Sequence, residues 1–186
     1  MKQIPTIIPD VLLIQPDVFE DKRGYFFETF NREKYAEQGI RYDFVQDNES
    51  LSAKDVLRGL HFQKPPYEQG KLVRVIKGAV LDVAVDIRQG SPYYGKWVAQ
   101  ELTEKNKLML WIPPGFAHGF VTLAEHTIFS YKCTGFYNKN SEGVIAWNDP
   151  DINIQWICEQ PLLSERDKMG VAFKNFVSPF IYKLKY

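Results

Sequence analysis

The chain of 186 residues is short of the features on which several protein classes depend. It has two cysteines, Cys133 and Cys158, with no C-x-x-C pair, which argues against a disulfide framework and for reduced structural thiols. It has no excess charge of either sign: Lys+Arg and Asp+Glu number 23 each, for a net charge of +0. No general attraction toward nucleic acid or an anionic membrane is therefore available, and any anionic ligand must be held by a local cluster of cations. Apolar runs such as Val11-Leu12-Leu13-Ile14 fall far short of the ~20 residues that span a bilayer. The start Met1-Lys2-Gln3-Ile4-Pro5 has no secretory apolar core. The expectation is a cytoplasmic protein with neither nucleic acid nor membrane as partner.

What is present is aromatic and β-prone. Phe, Tyr and Trp make up 15% of the chain, in short alternating segments broken by Gly, Pro and Asn. Within Leu72 to Arg88, a turn at Lys77-Gly78 precedes an alternation that puts Leu81, Val83, Val85 and Ile87 on one face. Asp82, Ala84, Asp86 and Arg88 take the other, so one face reads as core and the other as cavity or solvent. Similar runs cover Arg23 to Thr29, Trp97 to Leu102, Lys107 to Ile112, Phe120 to Leu123 and Thr127 to Thr134. Many short strands in a chain of this size predict an all-β sandwich, barrel or jelly roll, one domain over residues 1–186. Helical signals are few: Asn31 is placed to cap a helix over Arg32 to Gln38, and Ser164-Glu165-Arg166-Asp167 has capping spacing ahead of Gly170.

The sequence has only three histidines. His126 falls in a turn-like stretch, but His61 stands in Arg58-Gly59-Leu60-His61-Phe62-Gln63 with cations, Arg58 and Lys71, on either side. A lone histidine is more often a satisfied structural residue than a reactive one. Here the cations describe a site for an anion beside a titratable base. His118 closes Pro113-Pro114-Gly115-Phe116-Ala117-His118, which fits P-x-G-x-x-H, a pattern associated with the second motif of cupin barrels. A metal cupin needs three or four converging N/O ligands, including a close pair of histidines on an earlier strand. His61 is followed instead by Phe62 and Gln63, which argues against a metal-dependent cupin oxygenase.

Taken in order, the segments Phe19 to Glu28, Phe44 to Ser50, Leu57 to Gln63, Gln69 to Arg74, Ile112 to Phe120, Tyr131-Lys132, Trp147 to Pro150 and Leu163 to Asp167 resemble the dTDP-4-dehydrorhamnose 3,5-epimerases of dTDP-L-rhamnose synthesis. The resemblance implies a cupin-like jelly roll with a few short peripheral helices, a homodimer, and a substrate that is a dTDP-linked 4-keto-6-deoxy sugar. It also implies a reaction that requires no cofactor. A 4-keto sugar has acidic protons on carbons 3 and 5, so epimerisation needs a base, an enolate-stabilising group and an acid on the opposite face.

By the same resemblance His61 is the base, Asp167 the carboxylate that orients it, Lys71 the cation near the keto oxygen and Tyr131 the proton donor. Read from residue type alone, Asp167 is a capping residue, Lys71 an exposed strand-end lysine and Tyr131 a core aromatic. His118 matches a substrate contact. Nucleotide and diphosphate binding falls to Arg23, Glu28, Gln46, Asp47, Asn48, Arg58, Glu142 and Arg166; guanidinium forks suit diphosphate oxygens. Arg23-Gly24 also reads as a plain turn and Arg166 as a solvated helix residue. In a regular strand Arg58 and His61 point to opposite faces, so the reading requires a bulge at Gly59 or a place for Arg58 at a subunit boundary. Phe136-Tyr137 lies where the family varies, and relatives that epimerise one carbon differ near the proton donor. The presence of Tyr131 favours double epimerisation over a mono-epimerase, and His61, Lys71, Tyr131 and Asp167 together argue against a non-catalytic sugar-binding cupin.

Overall fold

A computed structural model describes residues 1–183. The strands are β1 (Lys2–Ile4), β2 (Leu12–Gln15), β3 (Val18–Asp21), β4 (Gly24–Phe27), β5 (Gln46–Ser52), β6 (Leu57–Gln63), β7 (Lys71–Lys77), β8 (Ala79–Asp86), β9 (Trp97–Thr103), β10 (Met109–Ile112), β11 (Phe116–Thr122), β12 (Thr127–Cys133) and β13 (Glu142–Val144). They form one sheet in the order β1-β2-β10-β7-β12-β5 and a second in the order β13-β6-β11-β8-β9, every pair antiparallel. β3 and β4 make a separate hairpin. This is the expected all-β, cupin-like jelly roll.

Three apolar layers fix the sheets. Between them lie Leu13, Val73, Val75, Leu110, Ile112 and Phe129 from the first sheet and Val80, Ala84, Val98, Phe116 and Phe120 from the second. The outer face of the second sheet carries Leu57, Leu60, Leu81, Val83, Val85 and Val121, covered by Ile145, Ile152, Ile154 and Phe180 of the C-terminal segment. The outer face of the first sheet carries Ile14, Leu72, Met109 and Trp111, covered by Tyr35 and Ile40. β8 is therefore apolar on one face and, on the other, mixes core residues with the fully buried carboxylates of Asp82 and Asp86. Neither face meets solvent.

Tyr35 belongs to α1 (Arg32–Glu37), whose cap is Asn31: its Oδ1 accepts from the Glu33 and Lys34 amides at 3.1 and 3.2 Å. α2 (Glu165–Lys168) is capped by Ser164 and ends two residues before Gly170. Two 3₁₀ turns, Lys139–Ser141 and Phe173–Asn175, had no sequence signal.

Three strand boundaries differ from the sequence pattern. The run Phe120 to Leu123 is only the tail of β11, which starts at Phe116 and is buried throughout, so it shows no alternation. β10 starts at Met109 rather than Lys107, because Asn106 Oδ1 accepts from the Thr103 and Leu108 amides and Lys107 has φ +55°. The run from Arg23 to Thr29 shrinks to β4.

Candidate active site

The two sheets part at one end around a cavity of about 430 Å³. One wall is made by inward-facing residues of the first sheet: Gln46 and Asn48 on β5, Lys71 on β7 and Tyr131 on β12. The other comes from the second sheet, with Arg58, His61 and Gln63 on β6, His118 on β11 and Glu142 on β13. Arg166 of α2 and Tyr137, in the segment after β12, also line it.

Arg58 and His61 share a wall because β6 bulges. Paired with β11, His61 lies opposite His118 and Arg58 opposite Phe120, so between these pairs two residues of β6, Gly59 and Leu60, face the single Gly119 of β11. Gly59 sits at the bulge with φ +152°, and a Cβ there would lie 2.6 Å from the Gly119 Cα. Only glycine lets the two backbones come this close. The bulge turns Leu60 into the outer core and returns His61 to the cavity.

His61 Nε2 lies 2.5 Å from Asp167 Oδ1, and the Asp167 side chain is only 4% exposed. Asp167 Oδ2 accepts from Ser164 Oγ at 2.6 Å and Oδ1 from the Gly59 amide at 3.4 Å. Burial pushes the Asp167 pKa up, but the hydrogen bonds from His61 and Ser164 outweigh it and hold the carboxyl below the usual value. An ionised carboxylate only accepts, so His61 Nε2 carries the proton, and in the neutral imidazole Nδ1 then presents the lone pair. Nδ1 has no partner among the described residues. Asp167 also keeps the capping arrangement, its amide donating to Ser164 Oγ at 3.2 Å. One residue thus fills both of the roles that the sequence offers.

His118 repeats the pairing beside it: Nε2 is 2.9 Å from Asp82 Oδ2. Burial draws the His118 pKa below the usual value, and the Asp82 charge opposes this only in part. Lys71 is half-buried, and desolvation lowers its pKa against the pull of Cys133, Asp82 and Glu142. Its Nζ lies 5.8 Å from the centre of the Tyr131 ring. Burial raises the Tyr131 phenol to about 12, so it remains a proton donor across the physiological range.

The mouth is cationic but braced. Arg166 Nη1 donates to Glu142 Oε1 at 2.7 Å, while its Nη2 is buried without a partner among the described residues. Arg58 leans on Ser52 Oγ through Nε and Nη2 at 3.3 and 3.1 Å. Gln46 Nε2 donates to Asn48 Oδ1 at 3.1 Å.

Ten of the thirteen residues singled out in the sequence meet here: His61, Lys71, Tyr131, Gln46, Asn48, Arg58, His118, Glu142 and Arg166 line the cavity, and Asp167 backs His61. Three do not. Arg23 is in the β3–β4 hairpin, paired with Asp21. Glu28 follows that hairpin and bonds Lys34 and Asn31. Asp47, between two inward residues of β5, alternates to the outer face and pairs with Lys132. Asp82 and Gln63 were not singled out as site residues, and Tyr137 was noted as a place where the family varies. Period two from His61 leads to Gln63, and the polar stripe on β8 contains Asp82, so both had a signal.

Comparison with known proteins identifies the site's lineage. The model of the dTDP-4-dehydrorhamnose 3,5-epimerase family matches residues 5–175. The chain belongs to this family. As a dTDP-4-dehydrorhamnose 3,5-epimerase family member it is an isomerase, and it is 53% identical over 174 residues to the dTDP-4-dehydrorhamnose 3,5-epimerase of Shigella flexneri, covering 93% of this chain and 96% of that one. The Pseudomonas aeruginosa enzyme of the same name is 52% identical, over 94% of this chain and 97% of that one. Among solved structures, the dTDP-6-deoxy-D-glucose-3,5-epimerase of Legionella pneumophila, in complex with dTDP-4-keto-L-rhamnose, superposes with a TM-score of 0.95 at 44% identity, over 98% and 99% of the two chains.

Proposed function

We propose that the chain converts dTDP-4-dehydro-6-deoxy-D-glucose to dTDP-4-dehydro-L-rhamnose by inverting carbons 3 and 5 without a cofactor. The observation that carries this reading is the placement of His61, backed by Asp167, on one wall of the cavity and Tyr131 on the other. His61 Nδ1 takes the proton next to the ketone, and the ionised Asp167 stabilises the imidazolium that results. Charge moves to the keto oxygen, where the poorly solvated Lys71 ammonium acts more strongly than it would in water. The Tyr131 phenol returns a proton to the opposite face, inverting the carbon. Arg58 and the unpaired Arg166 Nη2 are placed for a diphosphate, and Gln46, Asn48 and His118 supply polar contacts to the rest of the ligand.

The whole chain acts as one catalytic unit, because the Asp167 that His61 needs is carried by the C-terminal segment. Arg23 and Glu28 lie on or beside a hairpin whose Phe19, Tyr25 and Phe26 are exposed. A second copy of the chain covers that surface in a homodimer, and a monomer mass by light scattering at micromolar concentration would contradict this.

Incubation with the dTDP-4-keto sugar in deuterated water, followed by site-resolved NMR, tests the function. Deuterium with inverted configuration at both carbons is expected, and His61→Ala abolishes exchange at both. Inversion at one carbon only would make the chain a mono-epimerase. Undiminished exchange in His61→Ala would remove His61 from the mechanism.

A further inference from the structure

Residues 135–138, which follow β12 and carry Tyr137 to the cavity mouth, belong to no strand. Their backbone groups are held by glutamine side chains. Gln69 Nε2 donates to the Gly135 carbonyl at 2.7 Å, and Gln63 Nε2 to the Phe136 carbonyl at 3.1 Å. Gln46 Oε1 accepts from the Tyr137 amide at 2.8 Å, and Gln63 Oε1 from the Asn138 amide at 2.7 Å. Gln63 Nε2 makes a further bond, to the Tyr67 carbonyl at 2.6 Å. The one Gln63 amide therefore ties two loops together.

Gln63 is 5% exposed, and both of its donors and its acceptor are spent on the backbone of these loops. The site requires two donors and an acceptor at the end of a side chain of this length. Glutamate has no donor when ionised, lysine no acceptor, and leucine neither. Gln63 is also two residues beyond His61 on β6 and opposite Glu142 on β13, whose Oε2 accepts from the Tyr137 hydroxyl at 3.1 Å. The strand that presents His61 thus also fixes the loop that bears Tyr137.

We propose that Gln63 is a positioning residue that acts through Tyr137. It sets the lip of the cavity before ligand arrives, so its contribution is to binding and not to proton transfer. The proposal rests on the reading of this cavity as a nucleotide-sugar site. Tyr137, 56% exposed at the rim, is the side chain that the loop delivers.

The test compares Gln63→Leu and Gln63→Glu with the parent by hydrogen exchange of the 134–139 backbone amides, calorimetric titration with dTDP, and steady-state kinetics. Gln63→Leu loses all three bonds. Gln63→Glu keeps the acceptor for Asn138, so it remains informative if the leucine variant fails to fold. With net hydrogen bonds worth about fivefold each, Gln63→Leu, which loses both bonds to the loop, should quicken exchange at Tyr137 and Asn138 by roughly 25-fold, and Gln63→Glu, which loses one of them, by about fivefold, with the dTDP Kd and KM rising by up to the same factors. The kcat should stay within about twofold, because among the described residues no hydrogen bond joins Gln63 to His61, Lys71 or Tyr131. Unchanged exchange at these amides would overturn the proposal. So would faster exchange with Kd and KM unmoved, which would make Gln63 a brace for the fold alone, and so would a fall in kcat at constant KM. Exchange is read without ligand, so failure of the parent to bind dTDP would sink the nucleotide-sugar reading separately.

Discussion

Asp167→Asn separates the two roles that Asp167 holds. Asparagine has the same shape, so the variant keeps an oxygen able to accept from His61 Nε2 and a group able to meet Ser164 Oγ. The cap survives, because the bond from the residue 167 amide to Ser164 Oγ is made by the main chain. What disappears is the negative charge 2.5 Å from the imidazole, in a side chain only 4% exposed, where water does little to screen it. In the form that acts as the base His61 carries no charge, so little is lost before proton abstraction. After it the imidazolium lacks its counter-charge, so the cost falls on the transition state.

A hydrogen bond to a charged group is worth about 1.5–3 kcal/mol, and at 1.4 kcal/mol per tenfold the turnover should drop by roughly 10- to 100-fold. Loss of a helix cap, by contrast, costs about 1 kcal/mol, which is about 2–4 °C of melting temperature in a chain of this size. Deuterium incorporation and calorimetric melting on one preparation distinguish the cases. The expected result is a large fall in incorporation at carbons 3 and 5 with the melting temperature nearly held. Turnover above half of the parent's, with the melting temperature held, would refute the pairing and leave Asp167 as a cap.

Tyr131→Phe retains a ring that packs 6.0 Å from Phe129 while removing the hydroxyl. The variant should continue to wash deuterium in through His61 but invert no more than one carbon; full double inversion would transfer the acid role to another group, with Tyr137 the first suspect. Acid stability follows from His118, whose folded pKa burial holds below the ordinary histidine value of about 6.5. As pH falls through 6.5 the unfolded chain takes up a proton that the folded chain refuses, so the melting temperature should decline from that point, by at most about 1.4 kcal/mol of stability per pH unit from this group. Scanning calorimetry between about pH 7.5 and 5 reads the decline, and an NMR titration placing His118 above 6.5 would contradict it.

How much of this was legible in the sequence depended on which faces of each strand are covered. The first half of the β7–β8 pair announced itself because Lys77-Gly78 marks its turn, and alternation on β8 is visible wherever an aspartate interrupts it. β11 is hidden at its start because both of its faces are buried, leaving Phe116 to Phe120 without a polar residue other than His118. The helices were legible through chemistry local to the chain: Asn31 and Ser164 bond amides two or three residues away, which sequence spacing captures directly.

The site divides on the same principle. Arg58 and His61 are an odd number of residues apart, and what brings them to one wall is an unpaired residue at Gly59, forced by the close approach of Gly119 from another strand. Spacing along β6 can require that bulge but cannot supply it, since its cause lies some 60 residues away at Gly119. Gln63 and Asp82 escaped for a related reason. Each lies on an inward face that the alternation did expose, but their significance depends on partners remote in sequence, the loop at residues 136–138 and His118. Arg23, Glu28 and Asp47 mark the converse case, residues that match a family pattern but that one folded chain does not bring to the cavity. For Asp47 the alternation of β5 already points it outward, whereas Arg23 and Glu28 lie on or beside the β3–β4 hairpin, held by Asp21, Lys34 and Asn31 of their own chain, and it is for these two that the proposed homodimer is the test.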